Sequence, residues 1–273
     1  MTQGRRPRIG LALGSGGARG WAHVGVLRAL RNLGVWPDVV AGTSIGAMVG
    51  AFVAADAFEA LERELEKLTR ARLASFFIEA HLPRHGLFSG QAVMRWLERP
   101  ELLGPCDFTD LARPFAAVAT DLRTGRAVTL REGNVAQAVR ASISIPGLFD
   151  PVPHGEGALI DGGFSDPVPV AAARALGADF VIAVDITGDP SESPIGRTPS
   201  LAATLVQTAR LVEHGLSRLT LAQSPADFLL TPATGDVQTL DFVGGRALVA
   251  AGETAVRDAT APLLEALGHA LNP

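Results

Sequence analysis

The stretch Val39–Met48, VVAGTSIGAM, constrains this chain more than any other. An apolar run leads into Gly42-Thr43-Ser44-Ile45-Gly46, which spells G-x-S-x-G, and small residues from Ala47 to Ala55 lead out. That order reads as strand, sharp turn, helix, with Ser44 at the bend and its hydroxyl held out of the sheet. Gly42 and Gly46 suit the tight, partly strained backbone such a bend needs. A plainer reading also fits: a small-residue turn whose serine caps the next helix. Val39–Ala55 carries no charge, but its Gly, Thr and Ser content and central turn fit strand plus helix better than a membrane span.

At 273 residues the chain can bury a substantial core. Its composition is 47% hydrophobic but only 5% aromatic, without tyrosine, so the apolar mass is Ala, Val, Leu and Ile. That suits a buried parallel sheet covered by helices. Lys67 is the only lysine, which leaves little room for Schiff-base catalysis. A net charge of −4, with no basic block beyond Arg5, Arg6 and Arg8, argues against nucleic acid as a partner. Cys106 stands alone, so no internal disulfide or thiolate metal cluster is expected. Glycines interrupt the first apolar run too early for a signal peptide, and a cytoplasmic protein is expected.

Along the chain, Arg8–Leu13 is a short apolar run ending in Gly14-Ser15-Gly16-Gly17-Ala18-Arg19-Gly20. Val24, Leu27, Leu30 and Leu33 then recur at helical spacing. Strand, glycine loop and helix N-terminus together make an anion site. The anion is either a dinucleotide phosphate or the oxyanion of acyl transfer. For a dinucleotide, arginine stands where the third glycine of G-x-G-x-x-G belongs, and no acidic residue ends the second strand. A charged helix is expected over Glu59–Arg72, followed by the aromatic-rich Phe76–Phe88. That segment reads either as loop packing or as an apolar lid or membrane-touching rim. Ser89 is placed to cap a helix through Val93, Trp96 and Leu97.

A hairpin is expected over Pro114–Leu122 and Arg126–Arg131, a short helix over Asn134–Ala141, and a strand Ala158–Ile160 ending in Asp161-Gly162-Gly163. Helix Ala171–Leu176 and strand Phe180–Val184 follow. After a polar loop, helix Leu201–Leu221, strand Asp227–Leu230 and helix Gly244–Leu267 complete the pattern. Alternation of strands and helices predicts a mainly parallel sheet with functional groups at strand C-terminal ends. The 197–268 helix–strand–helix is expected to complete a single domain over residues 1–273.

A serine nucleophile needs a base within hydrogen-bond reach. An α/β-hydrolase order of Ser, Asp, His would need His214 or His269, and neither sits at a strand end. Asp161 closes an apolar strand, with room beside it at Gly162 and Gly163; Asp121 and Asp185 are rivals better suited to turns and caps. A partly buried carboxylate can itself act as base. The residues alone leave that choice open.

Gly14–Gly20, Gly42–Gly46 and Asp161–Gly163 occur in the order seen in patatin-like phospholipases. Ala141-Ser142-Ile143-Ser144-Ile145-Pro146-Gly147-Leu148-Phe149 and Asp166-Pro167-Val168-Pro169 carry the same likeness. From about Ile9 to Asp185 the chain resembles that family, in its short bacterial or NTE-type serine-esterase form. The resemblance implies a three-layer α/β/α fold and a Ser44–Asp161 dyad without histidine. It implies an oxyanion hole from the N–H groups of Gly16, Gly17 and Ala18. Gly14, Arg19, Gly20, Gly42, Gly46, Gly162 and Gly163 would support the three motif loops, with Arg19 ordering the glycine loop or meeting a phosphate head group. Ser15 departs from the family, which more often has glycine there. The implied activity is hydrolysis of a phospholipid or lysophospholipid ester. No Asp/His cluster at ligand spacing calls for a metal, no cofactor is expected, and the aromatic-rich Phe76–Phe88 is the candidate for a transient membrane contact. An acyltransferase with the same nucleophile and a non-enzymatic ligand-binding protein are the alternatives.

Overall fold

Alternate residues of the central strands divide by size. Leu11, Leu13, Val40, Phe115, Phe180, Ile182 and Val184 face one large core, whereas Ala12, Ala41, Ala116, Val181 and Ala183 face a second one built of smaller side chains. Both sets are buried, so the sheet needs helices on each face. The computed structural model describes residues 6–67, 86–192, 196–235 and 245–271. On the large-residue face lie α1 (Trp21–Asn32), α2 (Ile45–Ala54), α3 (Phe58–Glu66), α4 (Gln91–Leu97) and α5 (Val135–Ser142). The alanine face admits the short helix α6 (Val170–Ala175) at close range. The long α7 (Leu201–Gln223) adds Leu221 beside it, while α8 (Gly245–Asp258) and α9 (Thr260–Leu271) pack on the first face through Val256, Leu263 and Leu267.

Strands β1 (Ile9–Leu13), β2 (Val39–Thr43), β3 (Phe115–Asp121), β7 (Phe180–Val184) and β8 (Phe228–Leu230) form the parallel part of the sheet. The hairpin strand β4 (Ala127–Leu130) and β6 (Gly157–Asp161) both run antiparallel to β3, and β5 (Val152–His154) pairs with β6. β8 extends the sheet beyond β7, so the C-terminal segment shares the same sheet.

One feature of the pairing positions the site. Val40 N–H donates to the Pro114 carbonyl, and Leu122 N–H donates to the Ala158 carbonyl, whereas Asp121 N–H turns the other way to Arg126. Backbone groups alternate in direction along a strand. The even-numbered residues of β3 therefore serve β2 and β6 on one edge, and the odd-numbered residues serve β4 on the other. β2 ends with Thr43 opposite Val118, and β6 ends with Asp161 opposite Ala119. The two strands meet end to end. Ser44 and Asp161 converge at that junction, 117 residues apart in sequence.

Several expectations shift. The sheet is mainly parallel, from β3 through β8, but Asp161 ends an antiparallel strand, so it reaches Ser44 by abutment and not along a common parallel edge. The helix expected over Gly244–Leu267 is two helices, because Pro262 lacks an N–H and its ring crowds the carbonyl of Asp258. Ser89 is one residue too early for the N-cap of α4. Gly90 takes that position at φ 74°, and Ser89 Oγ accepts from Gln91 N–H at 3.3 Å. The expected helix over Glu59–Arg72 is described only as α3, and its continuation lies outside the described residues. Among the described residues no helix is long and apolar enough to cross a membrane.

Candidate active site

Ser44 sits between β2 and α2 at φ 55° and ψ −122°, a conformation that costs a non-glycine residue roughly 1–3 kcal/mol. The fold compels it. A Cβ at Gly42 would strike the Gly46 carbonyl, and one at Gly46 would strike the Leu13 carbonyl, so α2 starts hard against the ends of β1 and β2. Although Ser44 occupies the N-cap position, its side chain makes no capping bond. The capped-turn reading therefore does not hold. Ser44 Oγ instead donates to Asp161 Oδ2 at 2.6 Å, and both residues are nearly buried, at 5% and 4% exposure.

Asp161 is fixed on every side. Its Oδ1 accepts from Gly163 N–H at 2.8 Å, its own N–H donates to the Ser144 carbonyl at 2.9 Å, and Thr120 Oγ1 donates to its carbonyl at 2.8 Å. Burial raises the carboxyl pKa to about 7, against the opposing pull of the Ser44 and Gly163 hydrogen bonds, and the nearby Glu213 charge adds to the rise. A carboxylate with that proton affinity can take a hydroxyl proton and give it back near neutral pH.

The glycine loop stands on the other side. Gly17–Gly20 form a single 3₁₀ turn ahead of α1. The N–H groups of Gly16, Gly17 and Ala18 precede or open that turn and so have no acceptor within it. Gly16 adopts φ 156° and ψ 10°, with Ile186 packed where a Cβ would stand. Ser15 keeps a conformation open to L-residues, so its departure from glycine leaves the loop intact. Two buried side chains brace the loop. His23 on α1 has Nε2 2.8 Å from the Gly14 carbonyl. Burial lowers its pKa to about 4, so the ring is neutral and that nitrogen carries the proton. Arg19 is fully buried: Nε donates to the Gly16 carbonyl at 3.1 Å, Nη1 to the Thr187 carbonyl, and Nη2 lies 3.7 Å from Glu213 on α7. Burial draws its pKa down to about 10, which keeps it charged. These contacts join the loop at Gly16 to Thr187 and Glu213. Its burial denies it a lipid head group.

With this geometry in place, relatives identify the lineage. The sequence pattern of the patatin-like phospholipase family matches residues 11–174, more than half of the chain. The chain belongs to that family. An uncharacterized NTE family protein of Mycobacterium bovis is 36% identical over 197 residues, covering 72% of this chain and 54% of its own length. "Lysophospholipase nte1" of Emericella nidulans is 35% identical over 197 residues, 71% of this chain and 13% of that protein. The chain thus spans about half the length of the first relative and a small part of the second. Among solved structures, VipD from Legionella pneumophila shares the fold at a TM-score of 0.51 and 14% identity, covering 95% of this chain and 67% of that one.

In this patatin-like chain the sequence motifs leave several supports unannounced. Ser142, at the end of α5, is fully buried; its Oγ accepts from Ser44 N–H at 2.8 Å and donates to the Val118 carbonyl at 2.5 Å. It fills the gap between the C-terminal ends of β2 and β6. Ser142→Ala strands both groups and is expected to destabilise the fold by about 1–3 kcal/mol for each. Urea unfolding checks this, and an alanine variant as stable as the parent contradicts it. Arg140 reaches the carbonyls of Ser89 and Asp150 and donates to Ser144 Oγ at 2.6 Å, tying the start of α4 to the segment that holds Asp161. The third such support is Glu213. Its Oε1 lies against Gly163, where Ser15 Oγ and Asp161 Oδ1 also converge, and burial raises its pKa.

The rival residues lie elsewhere. His214 Nδ1 stands 3.4 Å from Thr187 Oγ1, and His269 lies in the last turn of α9. Asp121 accepts from the N–H groups of Arg123 and Thr124, closing the β3–β4 turn. Asp185 accepts from Thr187 N–H and Ser217 Oγ. Of the Phe76–Phe88 segment only residues 86–88 are described; Leu87 is 63% exposed and Phe88 packs edge-on to Phe149. His81 and His85 lie outside the described residues.

Proposed function

We propose that this chain hydrolyses a carboxylic ester of a phospholipid or lysophospholipid through a Ser44–Asp161 dyad. The observation that carries this reading is the 2.6 Å bond from Ser44 Oγ to a buried carboxylate held near neutral pKa. Asp161 takes the hydroxyl proton as Ser44 Oγ attacks the ester carbonyl. The tetrahedral oxyanion lies against the N–H groups of Gly16, Gly17 and Ala18, where each such donor is typically worth about 2.7–4 kcal/mol. Asp161 returns its proton to the departing glycerol oxygen, and the acyl group stays on Ser44. Water then gives a proton to Asp161 and its oxygen to the acyl carbon. Release of the fatty acid restores the serine hydroxyl. No step calls for a metal or cofactor. The strained φ of Ser44 keeps its oxygen aimed at the incoming carbonyl.

The lipid class rests on family membership and on the name of the lysophospholipase relative. We place the chain at the cytoplasmic side of its lipid substrate, as one domain. The test is acyl release from lysophosphatidylcholine, diacyl phosphatidylcholine and a short-chain ester, with and without glycerol or a thiol as acceptor. Free fatty acid from a lipid ester, in a yield that the acceptors leave unchanged, is expected. Acyl transfer in place of release contradicts hydrolysis, and inertness towards all three contradicts the enzyme reading.

A further inference from the structure

Five of the large apolar side chains most exposed among the described residues lie on one helix, α7: Leu201, Leu205, Leu211, Val212 and Leu219. Leu201, Leu205, Val212 and Leu219 follow one another at four, seven and seven residues, which aligns them in a single stripe along the 23-residue helix. The opposite side of α7 is fastened to the catalytic end of the molecule. Arg210 and Ser217 are buried there, Ser217 Oγ donates to Asp185 at 2.6 Å, and Glu213 reaches Arg19 and Gly163. The stripe is thus held outward by a fixed inner face, beside the loop that carries Asp161.

We propose that this face of α7 docks on the surface of a phospholipid bilayer and brings the dyad to its substrate, resting on the lipid-ester reading above. Charge supports that occupant. In a chain of net charge −4, the only charged residue on the exposed side of α7 among the described residues is Arg218, and the helix itself presents no acidic group there to repel phosphate. Size argues against a second copy. A helix of this length is about 35 Å long and its stripe roughly 10 Å wide, on the order of 350 Å². A stable protein interface takes about 800 Å² from each partner. An interfacial helix needs only its apolar face and a lipid surface.

The assignment adds α7 to the membrane contact expected at Phe76–Phe88, most of which lies outside the described residues. Co-sedimentation with vesicles of ether-linked phosphatidylcholine and phosphatidylglycerol tests it, since these lipids carry no ester and binding is read apart from turnover. The parent protein is expected to pellet with the vesicles. Leu205→Glu/Val212→Glu/Leu219→Glu should lose about ten-fold or more in vesicle affinity, because the acids face lipid where apolar groups stood. Leu122→Glu, as exposed but far along the chain in the β3–β4 turn, should bind as the parent does. Thermal unfolding confirms that each variant is folded, and Leu205→Glu alone carries the comparison should the triple variant not fold. A parent that stays in the supernatant, or a triple variant that pellets equally, overturns the proposal. Light scattering that finds a dimer in the parent and a monomer in the triple variant overturns it too, in favour of self-association. Vesicle binding that persists in protein without ester hydrolysis would sink the catalytic reading and leave this one standing.

Discussion

Asp161→Asn is expected to lower ester turnover by about 10²–10⁴-fold, the usual worth of a positioned general base, and at the same time to raise thermal stability above pH 7. The first effect follows from the 2.6 Å bond to Ser44 Oγ: asparagine keeps the shape and can still accept from Gly163 N–H, but it cannot take the hydroxyl proton. The second follows from the sign of the pKa shift. Folded Asp161 holds its proton up to about pH 7, whereas an unfolded aspartate releases it near 3.8. Between those values the folded state binds the extra proton, so stability falls as pH rises and the loss is complete above about 7. Asparagine has no proton to hold and removes that slope. Turnover of a water-soluble ester and melting temperature between pH 4 and pH 9 check both effects. A variant that loses activity by unfolding, or that keeps most of its turnover, contradicts the assignment. In the parent, activity should climb with pH through about 7, as Asp161 becomes able to accept a proton.

This pairing of lost turnover with gained stability is characteristic of a site strained for chemistry. Ser44 at φ 55° and Asp161 buried with raised proton affinity are both costs that the surrounding fold absorbs. Ser142, Ser144 and Thr120 bear much of that load, because they bond the backbones of the two residues at the strand junction.

The sequence made the local elements plain because their signals are local. Phe180–Val184 is uniformly apolar and is a strand over those same residues. The G-x-S-x-G turn lies between strand and helix because Gly42 and Gly46 are where the backbones crowd. What stayed hidden depends on contacts between distant residues. Nothing in Gly157–Asp161 reveals that it runs antiparallel to β3, or that it abuts the end of β2. The three-residue β5 is too short to show a period. Ser142 stood within a recognised motif, yet its role needs Ser44 and Val118, 98 and 24 residues away. Arg19 invited a head-group role because arginine is commonly exposed. Its burial is set by Thr187 and Glu213, which the local sequence cannot bring near. The stripe on α7 had a sequence signal, since Leu201, Leu205, Val212 and Leu219 keep helical spacing. Spacing alone assigns such residues to a core, and only the fold shows them facing outward.

The measurement that bears most directly on the nucleophile is covalent capture by a fluorophosphonate, followed by mass spectrometry of the digested protein. Ser44 Oγ, carrying its proton to Asp161, displaces fluoride from phosphorus, and the phosphoryl oxygen enters the place proposed for the ester oxyanion. One adduct on the peptide containing Ser44 is expected, absent from Ser44→Ala and formed far more slowly in Asp161→Asn. Its rate should rise with pH through about 7, together with turnover. Folded protein that gains no adduct, or that carries it on another residue while Ser44 stays free, contradicts the dyad.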